Sequence, residues 1–337
     1  MKKILLPVLF SLAVAVCRAD GPYHFIKEIP VSSEGGWDAL TVDSAGQRLY
    51  VSHAGQVVVI DLAKDQVAGE ITNTPGVHGI AIAPKLNRGF TSNGRENKAS
   101  IVDLKTLQTL SKVDTGTNPD AILFEPGQKE VYAFNGRGQS ATVIDAKSGK
   151  VVATIPLGGK PEFAEADSKA GRVFNNLEDK NEVAVIDTKT HTVVTNWPIA
   201  PGEEASGIAI DLKNHRLFLG CGGSKTMVMM DSTNGKVLAT VPIGPGVDGS
   251  AFDPGTGFAF ASCGGDGTTT IAHEDTPDKL TVVQTLTTER GARTMAIDPK
   301  THKIYLPSAK FEAPAEGQRR GKMVPGSFKI LVYGMEK

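Results

Sequence analysis

The stretch Val143-Ile144-Asp145-Ala146-Lys147-Ser148-Gly149-Lys150-Val151-Val152-Ala153-Thr154-Ile155-Pro156 holds two short apolar runs split by a polar turn. Each run is rich in β-branched residues and too brief for a helix, so both read as strands. Asp145 suits the turn, because its carboxylate can accept backbone N–H groups two residues on. The same ending recurs as Val59-Ile60-Asp61, Ile101-Val102-Asp103, Val185-Ile186-Asp187 and Met229-Met230-Asp231. These aspartates are spaced by 42, 42, 42 and 44 residues. Ile271-Ala272-His273 is the next equivalent, and Leu331-Val332-Tyr333 follows after one period plus an insertion of about 18 residues.

Working outward, every period has the same grammar. It opens with a short strand closing in Asp, such as Gly207-Ile208-Ala209-Ile210-Asp211. A turn leads to a second strand such as Arg48-Leu49-Tyr50-Val51-Ser52 or Glu130-Val131-Tyr132-Ala133-Phe134-Asn135. The Ile-Asp strand and a fourth strand complete the unit. Four short antiparallel strands in about 40–45 residues make a propeller blade. First strands fall near Ala39, Gly79, Asp120, Glu162, Gly207, Gly249 and Arg293, which makes seven blades. The seventh has only three strands after its start. Tyr23 to Ile29 is a spare strand at the other end, and placing it in the last blade closes the ring and removes exposed sheet edges. The expected fold is therefore all-β, a seven-bladed β-propeller over residues 20–337 with a loop insertion at 310–326.

At Arg48-Leu49-Tyr50-Val51-Ser52, Arg216-Leu217-Phe218-Leu219-Gly220 and Lys303-Ile304-Tyr305-Leu306, each followed by an Ile-Asp type strand, the chain resembles the YVTN-type repeats of YncE-like secreted bacterial propellers. The resemblance spans the expected mature chain. It implies the propeller fold and export. Relatives of this kind serve as binding platforms or as parts of redox enzymes, so it implies no single activity.

Export has its own signal. Lys2 and Lys3 precede an apolar run from Ile4 to Val16, too short to span a membrane, and Cys17-Arg18-Ala19 ends in a small residue. Residues 1–19 read as a signal peptide, with a periplasmic or secreted mature chain from Asp20. Lipidation at Cys17 is the competing reading. No later stretch is long and apolar enough to cross a bilayer. The net charge of −1 lacks the basic field of a non-specific nucleic-acid binder. Aromatic residues sit at regular second-strand positions, from Tyr50 and Phe90 to Phe260 and Tyr305, which signals packing between blades rather than a base-stacking platform. A monomer is expected.

Loops leading into the first strands and loops between second and third strands share one face, where ligands of a rigid scaffold are held. Asp38, His53, His78, Asp120, Glu162, Asp248 and Arg293 fall there and are the candidate ligand-binding residues of the channel mouth. Carboxylates and imidazole from several blades suit a cation site or an acid–base pocket; the alternative is that they bond backbone amides of neighbouring blades or meet channel water. His53 and His78 with Asp38 are candidates for a transition metal. No close His-x-x-x-His or Cys-x-x-Cys spacing supports a metal, and no motif implies a cofactor. His191, His215 and His302 read as solvated turn residues on the opposite face. Cys221 and Cys263 are one period apart, in neighbouring blades; they form either a disulfide or a pair of small buried residues. Glycine runs at 220–223 and 264–267 read as hairpin loops, since strands rather than helices follow.

Three functions fit these features. The first is a non-catalytic binding or scaffold protein, holding a protein or a small polar ligand on the loop-rich face. The second is a lactonase-like or metal-assisted hydrolase at the channel mouth. The third is an accessory to periplasmic electron transfer, without attached c-type haem because Cys-x-x-Cys-His is missing.

Overall fold

The computed structural model describes residues 21–31, 33–313 and 321–335. The expected leader, Cys17 and the Asp20 start lie outside the described residues, as do residues 314–320 of the insertion. The chain forms seven four-stranded antiparallel sheets. Their innermost strands are Trp37–Asp43, Val77–Ala83, Pro119–Glu125, Pro161–Asp167, Ala205–Asp211, Val247–Asp253 and Ala296–Asp298. They define blades one to seven. Among the described residues the helices are two 3₁₀ turns, Pro84–Leu86 and Glu178–Lys180, and no helix is long and apolar enough to cross a membrane.

The burial pattern explains the architecture. Second and third strands, such as Arg48–His53 and Gln56–Asp61, are buried on both faces except at their ends. A strand apolar on both sides needs a sheet against each face, and blades stacked around an axis supply one. The fourth strands meet solvent and alternate, as in Val151–Pro156. Tyr50, Phe90, Tyr132, Phe174, Phe218, Phe260 and Tyr305 hold one register position in successive blades, and none is more than 4% exposed. They fill the gaps between sheets.

The repeated aspartate does what the turn requires. Asp61 Oδ1 accepts from Ala63 N at 2.9 Å and Lys64 N at 3.0 Å. Asp103 and Asp187 repeat the bonds to the two following turn amides. The turn closes through a residue with positive φ, which is Gly149 in blade three and Gly235 in blade five.

In the seventh sheet the strand order is His24–Pro30, Lys329–Gly334, Lys303–Ser308, Ala296–Asp298. Tyr23, just before the N-terminal strand, is fully buried, and its hydroxyl donates to His302 O at 2.9 Å. The innermost strand of this blade is short, because Arg293 turns to its neighbour: Gly249 N of blade six donates to Arg293 O at 2.9 Å. The base of the insertion is a bridge between Phe311 and Met323, and Phe311 packs 6.1 Å from Trp37, centroid to centroid.

One open alternative is decided, and one expectation needs correction. Cys221 and Cys263 are free thiols. Cys221 packs between blades four and five, with Phe174 and Leu217, whereas Cys263 packs between blades five and six, with Phe218 and Ala259. A whole sheet separates them, so a disulfide is sterically closed to this pair. Burial pushes the two thiols up to about 12 and about 11, which leaves them inert. His191 and His302 are not merely solvated. His191 Nε2 lies 2.9 Å from Glu130 Oε2 of the preceding blade, and His302 Nδ1 lies 2.7 Å from the buried Asp253 Oδ2. Both ties join adjacent blades. His215, 52% exposed, is solvated as expected.

Candidate functional site

At the start of each innermost strand in six of the seven blades, the ladder slips. The register shifts lie between Trp37 and Leu40, Val77 and Gly79, Pro119 and Ala121, Pro161 and Ala164, Ala205 and Gly207, and Val247 and Gly249. A β-bulge leaves its extra residue unpaired and re-aims the side chain. The second residue of the strand falls inside the slip every time: Asp38, His78, Asp120, Glu162, Ser206 and Asp248. Arg293 serves from blade seven. One local distortion, repeated by the fold, thus presents a ring of polar groups at one end of the central channel.

Contacts run around most of that ring. Ser206 Oγ donates to Asp248 Oδ1 at 2.8 Å. Arg293 pairs with Asp248, and its Nη2 donates to Trp37 O at 3.2 Å and lies 3.9 Å from Asp38 Oδ1. His78 Nδ1 is 2.8 Å from Asp38 Oδ2 and 3.0 Å from Asp120 Oδ1. Lys160 Nζ lies 2.8 Å from Glu162 Oε1 and also pairs with Glu178. Thr294 Oγ1 donates to Asp38 O at 2.9 Å, which ties blade seven to blade one beneath the ring.

Burial works against a charge on His78, but the hydrogen bonds it donates to Asp120 and Asp38 outweigh it and hold its pKa up at about 10. Burial raises Asp38 above the ordinary carboxylate range, more than His78 and Arg293 lower it. Asp120 also resists burial, yet His78 and Lys160 bring it below that range. The two carboxylates part company although both touch His78, since Asp38 also meets the charge of Asp248 whereas Asp120 is helped by Lys160 and Asn118. Burial pushes Glu162 up to about 7, against the pull of Lys160.

The ring opens on a polar cavity of about 470 Å³ lined by Asp38, Asp120, Lys160, Glu162, Asp248 and Arg293, with Glu178 and Glu204 beside them. Six carboxylates stand against two fixed cations in that lining. Below it lies an apolar cavity of about 320 Å³ along the channel, walled by Leu40, Ile80, Ile122, Phe163 and Met295. The cavities share Ala121 and Phe163. One carboxylate, Glu165, lines the lower one, and burial pushes it up to about 7.

The structure brings Asp38, Asp120, Glu162, Asp248 and Arg293 to one cavity, with His78 bridging the first two. It does not bring His53 there. That ring is fully buried, 4.1 Å from Phe328 centroid to centroid, with no hydrogen-bond partner for either nitrogen among the described residues. Its pKa is pushed down to about 4 by burial. His53 ends the second strand opposite Trp37, and its side chain enters the packing between blades one and seven instead of the mouth. Sequence reading missed Ser206, Lys160 and Glu165. Ser206 stands before Gly207 as His78 stands before Gly79 and Asp248 before Gly249, so position alone could have found it.

No family model matches the chain, and neither does any curated protein.

Proposed function

We propose that this chain is an exported binding propeller of YVTN type that holds a small, polar, positively charged ligand at the channel mouth. The observation that carries the reading is the excess of carboxylates around a single polar cavity. Partly enclosed charge of one sign focuses the field and draws ligands of the opposite sign. The arginine and lysine present are already paired, Arg293 with Asp248 and Lys160 with Glu162 and Glu178, so anions find no free partner in the lining. Rigidity supports the same reading, since the groups stand on bulged strands tied to their neighbours and little order is lost on binding.

Calorimetry with small diamines and guanidinium compounds, against carboxylates of equal size, tests this. Cations are expected to bind, more weakly as salt rises, and Glu162→Gln and Asp248→Asn are expected to weaken them about 5- to 10-fold each. Preference for anions, or affinity unchanged in both variants, would sink the reading. One observation favours hydrolysis as a second reading. A carboxyl held at about 7 at the edge of a cavity, as Glu162 is, suits general acid–base work. Turnover of a lactone panel, abolished by Glu162→Gln, would separate it from simple binding.

A further inference from the structure

We propose that Asp38, His78 and Asp120 form a site for one divalent first-row metal ion, six-coordinate and of Mn²⁺ type. The inference deepens the binding reading above and rests on it for the mouth being a ligand site.

Three observations converge. The first is the donor set and its spacing. Asp38 Oδ2, His78 Nδ1 and Asp120 Oδ1 all lie within 4.8 Å of one another. The two edges through the imidazole measure 2.8 Å and 3.0 Å. Adjacent ligands on a six-coordinate ion with bonds of about 2.1–2.2 Å are separated by about 3.0 Å, whereas a tetrahedral ion spreads them to about 3.4 Å. One nitrogen with two carboxylate oxygens suits a borderline ion better than calcium, and the ion would take the place of the proton that His78 Nδ1 shares with the two carboxylates.

The second is the shell behind the donors. Each carboxylate uses its remaining oxygen elsewhere. Asn118 Nδ2 donates to Asp120 Oδ2 at 3.2 Å, and Arg293 Nη2 stands 3.9 Å from Asp38 Oδ1. These contacts turn Asp38 Oδ2 and Asp120 Oδ1 toward the imidazole, as outer partners orient metal ligands.

The third lies in the loops after the second strands, where Asn93-Gly94-Arg95 and Asn135-Gly136-Arg137 repeat a motif. A Cβ on Gly94 would stand 2.6 Å from His78 Nε2, and one on Gly136 would stand 2.9 Å from Asp120 Oδ2. Both glycines have ordinary backbone angles, so neither is needed for its own conformation. What each provides is the space in which the His78 ring and the Asp120 carboxylate stand. The donors come from three blades on rigid strands, and Asp38 and Asp120 line the polar cavity. Coordination positions not taken by the protein therefore open on water and on the ligand held there.

The test is metal binding itself. Protein stripped with EDTA and dialysed is titrated with MnCl₂ and with ZnCl₂ by calorimetry, and the Mn²⁺ form is examined by electron paramagnetic resonance. One equivalent per chain is expected. His78→Gln and Asp120→Asn should each weaken binding about 100-fold, and Gly94→Ala about 10-fold by crowding the ring. Asp114→Asn, a carboxylate far out on a fourth strand, should stay within about threefold of the parent chain. Thermal melts of the variants show that each is folded; if one is not, the other carries the test. Absence of a one-equivalent site in the parent chain, or equal affinity in folded His78→Gln and Asp120→Asn, overturns the proposal. The organic-cation titration is repeated in EDTA. Cation binding by a parent chain that takes up no metal removes the metal site and leaves the binding reading standing. Metal uptake without any organic ligand supports the metal site and removes the organic-cation reading alone.

Discussion

Glu165 is the residue whose setting asks most of the fold. It lines an apolar stretch of channel, and burial alone pushes its pKa up to about 7 from an ordinary 4.5. A carboxyl raised in this way stabilises the folded chain while it is protonated. Below about pH 4.5 it is neutral in both states; as pH climbs to 7 the unfolded chain ionises first and that stability is lost. Glu165→Gln should therefore melt like the parent at pH 4.5 and be more stable at pH 8, by about 1 kcal/mol. Parallel melting-temperature curves for the two proteins across that range would contradict the assignment. In the sequence the residue was hidden, because Phe163-Ala164-Glu165-Ala166 shows a carboxylate in a strand without showing what lies opposite. Glu162, three residues earlier, was legible only because it opens its strand.

At the scale of the strand, legibility followed the period. Second strands declared themselves through an aromatic at a fixed distance from the Ile-Asp ending, and all seven aromatics are buried between sheets. Phe218→Ala should cost about 3–5 kcal/mol in urea unfolding, as truncation of a close-packed aromatic does. Val151→Ala, on a fourth strand and 44% exposed, should change stability by less than about 0.5 kcal/mol. Equal losses would mean that the sheets are not held by that ladder. The bulges were not legible. Nothing in the residues of Ala205-Ser206-Gly207 announces a slip of the ladder, and the uncharged hydroxyl of Ser206 does not mark the position. Ties such as His191 to Glu130, 61 residues apart, were invisible for another reason: they depend on which turn meets which blade.

For the whole molecule, the last sheet is where strands from the two ends of the described chain meet. His24–Pro30 pairs with Lys329–Gly334 along its length, with one irregularity after Phe25. Removing residues 21–30 should expose Lys329–Gly334 as a bare edge, lower the urea midpoint and promote association visible by size exclusion. A truncated chain with an unchanged midpoint would show that the strand adds nothing. Around the rest of the circle, neighbouring blades are laced by bonds such as Thr41 Oγ1 to Ile80 O at 2.7 Å and Asn176 Nδ2 to Ser206 O at 2.9 Å. In six blades the bulge at the head of the inner strand turns a side chain to the mouth while backbone such as Ser206 O and Asp38 O stays in this lacing, and that has a consequence for how such a molecule diversifies. Asp, His, Asp, Glu, Ser, Asp and Arg spell a seven-letter word around the pore, one letter to a blade. A letter can be exchanged with these backbone ties left in place. Two chains could agree at every buried position and still welcome different guests.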